Sequence, residues 1–538
     1  MASAFLLSAC GAGSGQQGGT AITGDDAVRL ANQATFGPTP ALVAQLAKEG
    51  SAWIDAQIQA APTSYPALTA VSPSVAVGCP PTLPAGNTCI RDLYSAFPVQ
   101  RAFFQNAVGG ADQLRRRVAL AYSQIFVVSS VQIQPAYALR EYEEMLLEDA
   151  FANFRQILED VTLSPVMGAY LNMANNNKGN ASKGISPNEN YAREVLQLFS
   201  IGVNALHPDG SPVMQNGAPV PTYSQDTIEN FARVFTGWTY PTAPGAAAKS
   251  NNPEYFIGTM TPVDANHDTG SKALLNGTTL PAGQSAQVDL KQGLDNIFQH
   301  PNAGVFIGKQ LIQFLVTSNP SPAYVGRITA VFNDDGAGTR GNMAAVVKAI
   351  LLDAEARGAS AAGSGSGKLR EPVVDVVAIL RALGGNTDGV YPIAAAAAMG
   401  EPLFGPYTVF SFYPPSYPLP GSATLVAPQF GILNTSTAIA RLNFLNALLD
   451  SANGVPPQAS VPGATGTHVD FSAYLPAAGD AAALVAQLDA NVLAHSLSTE
   501  EAAAIVTAVE ALPAGDALNR ARAAAYLAFA SPRYQVTR

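Results

Sequence analysis

Apolar residues recur at three- and four-residue steps along most of the chain, the spacing that lays one stripe along a helix. Over residues 112–128 the stripe is Leu114, Val118, Ala121 and Ile125, and the Arg115-Arg116-Arg117 run falls partly on the wet face. Residues 142–158 repeat the pattern through Met145, Leu146, Ala150, Phe154 and Leu158, and 346–354, 373–383, 439–449 and 517–530 follow it too. Period-two alternation, the mark of a half-buried strand, is scarce. The pattern predicts an all-α or predominantly α protein, one large multi-helix domain with long irregular insertions at 63–87, 209–223, 240–287, 357–368 and 453–468. Insertions of that length in a compact domain tend to carry function or cover surface. The stretch 357–368 is rich in Gly, Ser and Ala and marks an expected subdomain seam.

Composition narrows the class. Of 538 residues, 48% are apolar and 13% charged, against ~25% charged in an ordinary soluble protein. That apolar share at this length excludes disorder throughout, a coiled coil and a small disulfide scaffold. A net charge of −10 lacks the positive field that non-specific nucleic-acid binding needs, so no nucleic-acid partner is expected. The opening MASAFLLSAC resembles the lipobox of a bacterial lipoprotein signal, with Cys10 as the lipidated residue. Residues 1–24 then read as signal remnant and Gly/Ser/Gln-rich tether, and 25–538 as the helical domain. No later stretch reaches the ~18–20 apolar residues of a membrane span, so membrane attachment is expected only through that lipid. The implied location is periplasmic, anchored at the outer membrane, or extracellular. Cys79 and Cys89 flank a Pro/Gly-rich turn and are expected to form a disulfide. Free thiols are the competing reading, and the lack of a CxxC or His neighbour argues against a metal.

Chemistry concentrates in three places. In the first, 186–202, Ser186, Pro187 and Glu189 form a helix-start signature with an S-x-x-E capping box, and Glu189 can pair with Arg193. Asn190, Glu194 and Gln197 share a polar stripe there, a carboxylate flanked by amides, suited to holding an acid for proton transfer or gripping a sugar hydroxyl. The second helix, 223–238, has Ser224 as N-cap, Asp226 in its first turn and Glu229 within reach of Arg233. It ends at Trp238, which either packs the core or floors a sugar-binding cleft. Third, Asp264, His267, Asp268 and Lys272 lie close together in the 240–287 loop, compatible with a metal pair, a His-carboxylate base or turn chemistry. No GxSxG elbow, HExxH, Walker motif, dinucleotide glycine fingerprint or CxxCH is present.

These blocks, together with Arg29-Leu-Ala-Asn-Gln-Ala-Thr-Phe-Gly-Pro38, His300-Pro301, Leu351-Leu-Asp-Ala-Glu-Ala-Arg357, Val409-Phe-Ser-Phe-Tyr-Pro414 and Ser531-Pro-Arg-Tyr-Gln535, resemble the bacterial DUF1800 family from about Val28 to Arg538. The Asn188-Glu-Asn-Tyr-Ala-Arg-Glu194 run is the most specific of them. The resemblance implies a mostly helical exported protein, often encoded beside a DUF1501 protein that looks like the sulfatase and alkaline-phosphatase superfamily. Two positions depart from the family pattern. Phe199 stands where some relatives carry a histidine, and Gln429 where an acid is expected.

The sequence thus leads first to an exported hydrolase of an extracellular polymer such as a polysaccharide. Glu194 would be the acid, Asp226 its partner, Arg193 the tuning charge, and His267 and Asp268 further catalytic candidates, with Asn190, Gln197, Trp238 and Lys272 binding substrate. The competing expectation is a non-catalytic surface or secretion factor partnering a DUF1501-like protein. No cofactor is expected beyond a divalent cation on Asp226, Asp264 and Asp268.

Overall fold

The computed structural model describes residues 21–84, 86–358, 366–450 and 454–537. Cys10, nearly all of the 1–24 tether and the middle of the 357–368 segment lie outside the described residues. The protein is predominantly α-helical, with 24 α-helices among the described residues and only two-residue strands, paired into two-stranded ribbons. Among the described residues no helix is long and apolar enough to cross a membrane. The predicted helices appear as Gln113–Ile125, Met343–Leu352, Pro372–Ala382, Thr435–Asp450 and Ala517–Ala530. One expectation is corrected: 142–158 is not a single helix. Ala136–Glu148 ends in the tight turn Asp149–Phe151, and Phe154–Leu163 starts afresh with Asn153 accepting a hydrogen bond from Arg155 N at 3.0 Å.

Apolar side chains gather into two buried clusters. Residues up to Ala356, with Tyr413, form the first, and the second draws chiefly on the helices Phe97–Gly109, Pro372–Ala382, Thr435–Asp450 and Ala517–Ala530. Pro372–Ala382 is buried on every face, as expected of a helix apolar all round. Two helices serve both clusters. Gln113–Ile125 sends Leu114, Val118 and Ala121 into the first and Ala119 and Leu120 into the second, and Ala136–Glu148 divides Leu146 and Leu147 in the same way.

Those shared helices correct the reading of the arginine run. Arg116 and Arg117 are buried, not on a wet face. Arg117 Nη1 lies 3.0 Å from Glu371 Oε1, and Gln124 Nε2 and the Tyr413 hydroxyl donate to the other oxygen at 3.1 and 2.8 Å. Arg116 donates to the Thr63 carbonyl at 2.5 Å and faces Asp112 at 3.4 Å. Cys79 and Cys89 form the expected disulfide, with Cα atoms 5.8 Å apart.

Candidate functional site

The motif helix is Asn190–Gln197, three residues shorter at its start than the capping signature predicts. Ser186 is exposed, and no S-x-x-E box forms. Instead the Asn-rich turn before the helix is stitched to 172–176. Asn176 Oδ1 accepts from Asn188 N at 2.8 Å, and Asn190 Nδ2 donates to Asn172 Oδ1 at 2.9 Å. Glu189 does pair with Arg193, at 2.9 Å, and Gln225 joins them by donating to Glu189 at 2.9 Å and accepting from Arg193 at 3.3 Å. Arg193 is therefore engaged at the surface between two helices rather than turned onto Glu194.

Glu194 is the unusual group. It is half-buried, and its Oε2 is buried with no hydrogen-bond partner among the described residues. Burial raises its carboxyl above the ordinary value, with the nearby Arg193 charge opposing. Tyr170 and Tyr223 flank it. Burial, then the Glu194 charge, push each phenol up to about 12, and the Tyr223 hydroxyl is also buried without a partner. A buried carboxyl without a donor favours its neutral form, because desolvation penalises the charge. Sequence spacing did not single out the two tyrosines. Tyr223 immediately precedes the N-cap Ser224, and Tyr170 belongs to a short apolar helix, Pro165–Tyr170, so both read as packing residues.

The residues expected to join Glu194 differ in where they stand. Asp226 is exposed in the first turn of Gln225–Val234, where its charge favours the helix dipole. Ser224 caps that helix as predicted, through a reciprocal bond with Thr227. Trp238 is 3% exposed, packs in the first apolar cluster and pairs through its backbone with Pro262, so it floors no cleft. Gln197 is half-buried, one turn after Glu194.

His267 is fully buried, and its ring nitrogens are both taken up: Nδ1 lies 2.8 Å from the Thr236 carbonyl and Nε2 lies 3.0 Å from Asp289 Oδ2. Lys272, equally buried, donates to the same Asp289 oxygen at 2.6 Å and to the Gly270 carbonyl at 2.9 Å, and Gln284 fills the other oxygen at 2.5 Å. Asp289 is the residue that sequence reading missed. It sits on Ala286–Phe298, beyond the loop, and ties that loop to the body.

Gly237 permits the approach: its φ is +81°, and a Cβ there would stand 2.8 Å from His267 Cβ. Asp268 is held bidentately by Arg233, both bonds 3.0 Å. Although burial raises its carboxyl, these bonds and the Gly270 amide hold it below the ordinary carboxylate value. Arg233 therefore serves Asp268, not Glu229. Asp264 accepts from Ala286 N at 2.9 Å, at the start of the next helix.

This placement corrects two expectations. His267 and Lys272 cannot touch an external polymer or donate to one, because both are buried and paired. The cation site is likewise absent: Asp226, Asp264 and Asp268 have three separate duties, and no group of three or more His, Cys, Asp or Glu among the described residues is arranged to hold a metal.

A helical body of two clusters, with the Asn-Glu-Asn-Tyr-Ala-Arg-Glu helix braced between an Asn-rich turn and Gln225, is the setting of these motifs. The model for the family of proteins of unknown function DUF1800 matches residues 29–536, and the chain belongs to that family. No curated protein and no solved structure matches the chain.

Proposed function

We propose that this is an exported, non-catalytic surface or secretion factor that docks a partner protein of the DUF1501 type. The observation that carries the reading is the use made of the motif side chains. Asp268 is spent on Arg233, His267 and Lys272 on Asp289, and Trp238 on the core, so four of the motif side chains serve internal contacts rather than a substrate. The Cys79–Cys89 bond supports an oxidising compartment.

The docking surface we assign is the 404–411 loop. Tyr407 is 79% and Phe410 45% exposed, and aromatic side chains of this kind dominate binding energy at interfaces. The loop is held from beneath, with Ser129 donating to the Pro406 carbonyl at 2.6 Å and Ser130 N to the Phe404 carbonyl at 2.9 Å. Phe404 and Ser411 both adopt positive φ, a conformation that costs non-glycine residues energy and persists only where the surroundings impose it.

The hydrolase reading rests on Glu194 alone, through its raised pKa and unpartnered oxygen. One experiment separates the two. The purified protein is titrated with a purified DUF1501-like protein and incubated with a polysaccharide panel. Docking predicts a complex weakened about tenfold or more by Tyr407→Ala or Phe410→Ala, and no hydrolysis. Polysaccharide cleavage that disappears in Glu194→Gln would overturn it.

A further inference from the structure

A cleft of about 560 Å³ opens on a different part of the molecule, between the first helix, Gly24–Ala34, and the last elements, Pro532–Gln535 and Val536–Thr537. Its volume is within the ~300–1,000 Å³ of ordinary small-molecule sites. Arg29, Arg370 and Arg533 line it with Glu501, and His495, also on its wall, is paired with Asp25 at 2.5 Å. In a chain of net charge −10, such a gathering of three guanidiniums is not a general surface property.

The carboxylates nearby do not use up the guanidinium capacity. Glu501 is taken by Arg533 Nε, with both oxygens at 3.0 Å, and the two terminal nitrogens of Arg533 have no acceptor among the described residues. Asp26 is shared, 3.6 Å from Arg29 and 3.3 Å from Arg357, and Arg29 Nη2 donates to the Arg357 carbonyl at 3.4 Å, which leaves Arg29 Nη1 without an acceptor among the described residues.

Arg370 has no carboxylate within ion-pair distance among the described residues. Its Nε donates to the Tyr534 carbonyl at 2.8 Å and its Nη1 to Asn32 at 3.0 Å, while its carbon centre stacks 4.3 Å from the Tyr534 ring. These contacts fix the fork and leave Nη2 unassigned. A preorganised guanidinium of this kind suits an oxyanion, whose oxygen accepts a charge-assisted hydrogen bond from the remaining nitrogen. Val492, Leu493, Pro532 and Val536 supply an apolar flank to the same cleft.

We infer that this cleft binds a small organic oxyanion, a carboxylate or phosphate head on an apolar body, gripped by Arg29, Arg370 and Arg533. The site is separate from the 404–411 loop and from Glu194, so it stands or falls independently of the docking proposal.

The test is calorimetric titration of the full protein at low ionic strength with benzoate, phenyl phosphate, inorganic phosphate and uncharged benzyl alcohol. Binding of benzoate or phenyl phosphate, weakening with added salt and absent for benzyl alcohol, is expected, and which anion binds more tightly identifies the head group. Arg29→Gln and Arg533→Gln should each lower affinity about tenfold or more, with unchanged circular dichroism and with Lys291→Gln, on a remote exposed position, unaffected. No binding by any of the organic anions at millimolar concentration overturns the inference. So does binding that Arg29→Gln and Arg533→Gln leave intact, or binding of inorganic phosphate alone that Lys291→Gln weakens equally.

Discussion

Asp289 holds two buried cationic or hydrogen-bonding side chains, Lys272 and His267, on one carboxylate oxygen. Asp289→Asn removes the countercharge while leaving Lys272 buried, which should cost ~3–5 kcal/mol and be read as a lowered denaturant midpoint. Lys272→Met with Asp289→Leu together should recover much of it, because a buried ion pair exchanged for apolar bulk is often neutral. Sequence reading found His267, Asp268 and Lys272 by their closeness along the chain but not Asp289, which is 22 and 17 positions from His267 and Lys272. Nothing in local spacing shows a loop folding back on the following helix. The same limit explains Arg233. Its i,i+4 neighbour Glu229 is the local choice, whereas Asp268 arrives from 35 positions away and offers two bonds.

Helix existence was the legible part, since amphipathic stripes need no tertiary knowledge. What the stripe of Gln113–Ile125 conceals is a second buried side, because Ala119 and Leu120 belong to the second apolar cluster, much of it from beyond residue 370, and Arg117 meets Glu371. One stripe and three arginines therefore read as a surface helix. Because that helix belongs to both apolar clusters, they should unfold together. Leu120→Ala should destabilise by ~2–5 kcal/mol, and fluorescence and circular dichroism should shift as one transition. Two separated transitions, only one of them moved by the substitution, would show that the clusters unfold independently. Helix starts were less legible. Ser186-Pro-Asn-Glu carries every local signal of an N-terminus, but the asparagine side chains that clasp the preceding turn win, and the helix begins at Asn190.

Across the whole molecule a low charge content hides many ionisable groups in the interior, so stability should respond to pH. Asp149, half-buried near Asp160, is raised from 3.8 to about 7, by burial first and by the Asp160 charge second. The folded protein thus binds that proton more tightly than the unfolded chain. Its contribution is complete below the unfolded value and is lost as pH rises through about 7. Asp149→Asn should flatten the fall in melting temperature across that interval, as a pH series of thermal scans would record. An undiminished fall would place the proton elsewhere.

The sharing of two helices between clusters also has a consequence in time. Leu120 and Leu147 emerge early in synthesis, yet the larger part of their cluster, from Val373 onward, is made more than 220 residues later. At roughly 5–20 residues per second, that cluster stays incomplete for on the order of 10–50 s. The nascent chain therefore carries an unfinished apolar cluster before the residues that complete it exist, and a holding chaperone would have a defined place to bind.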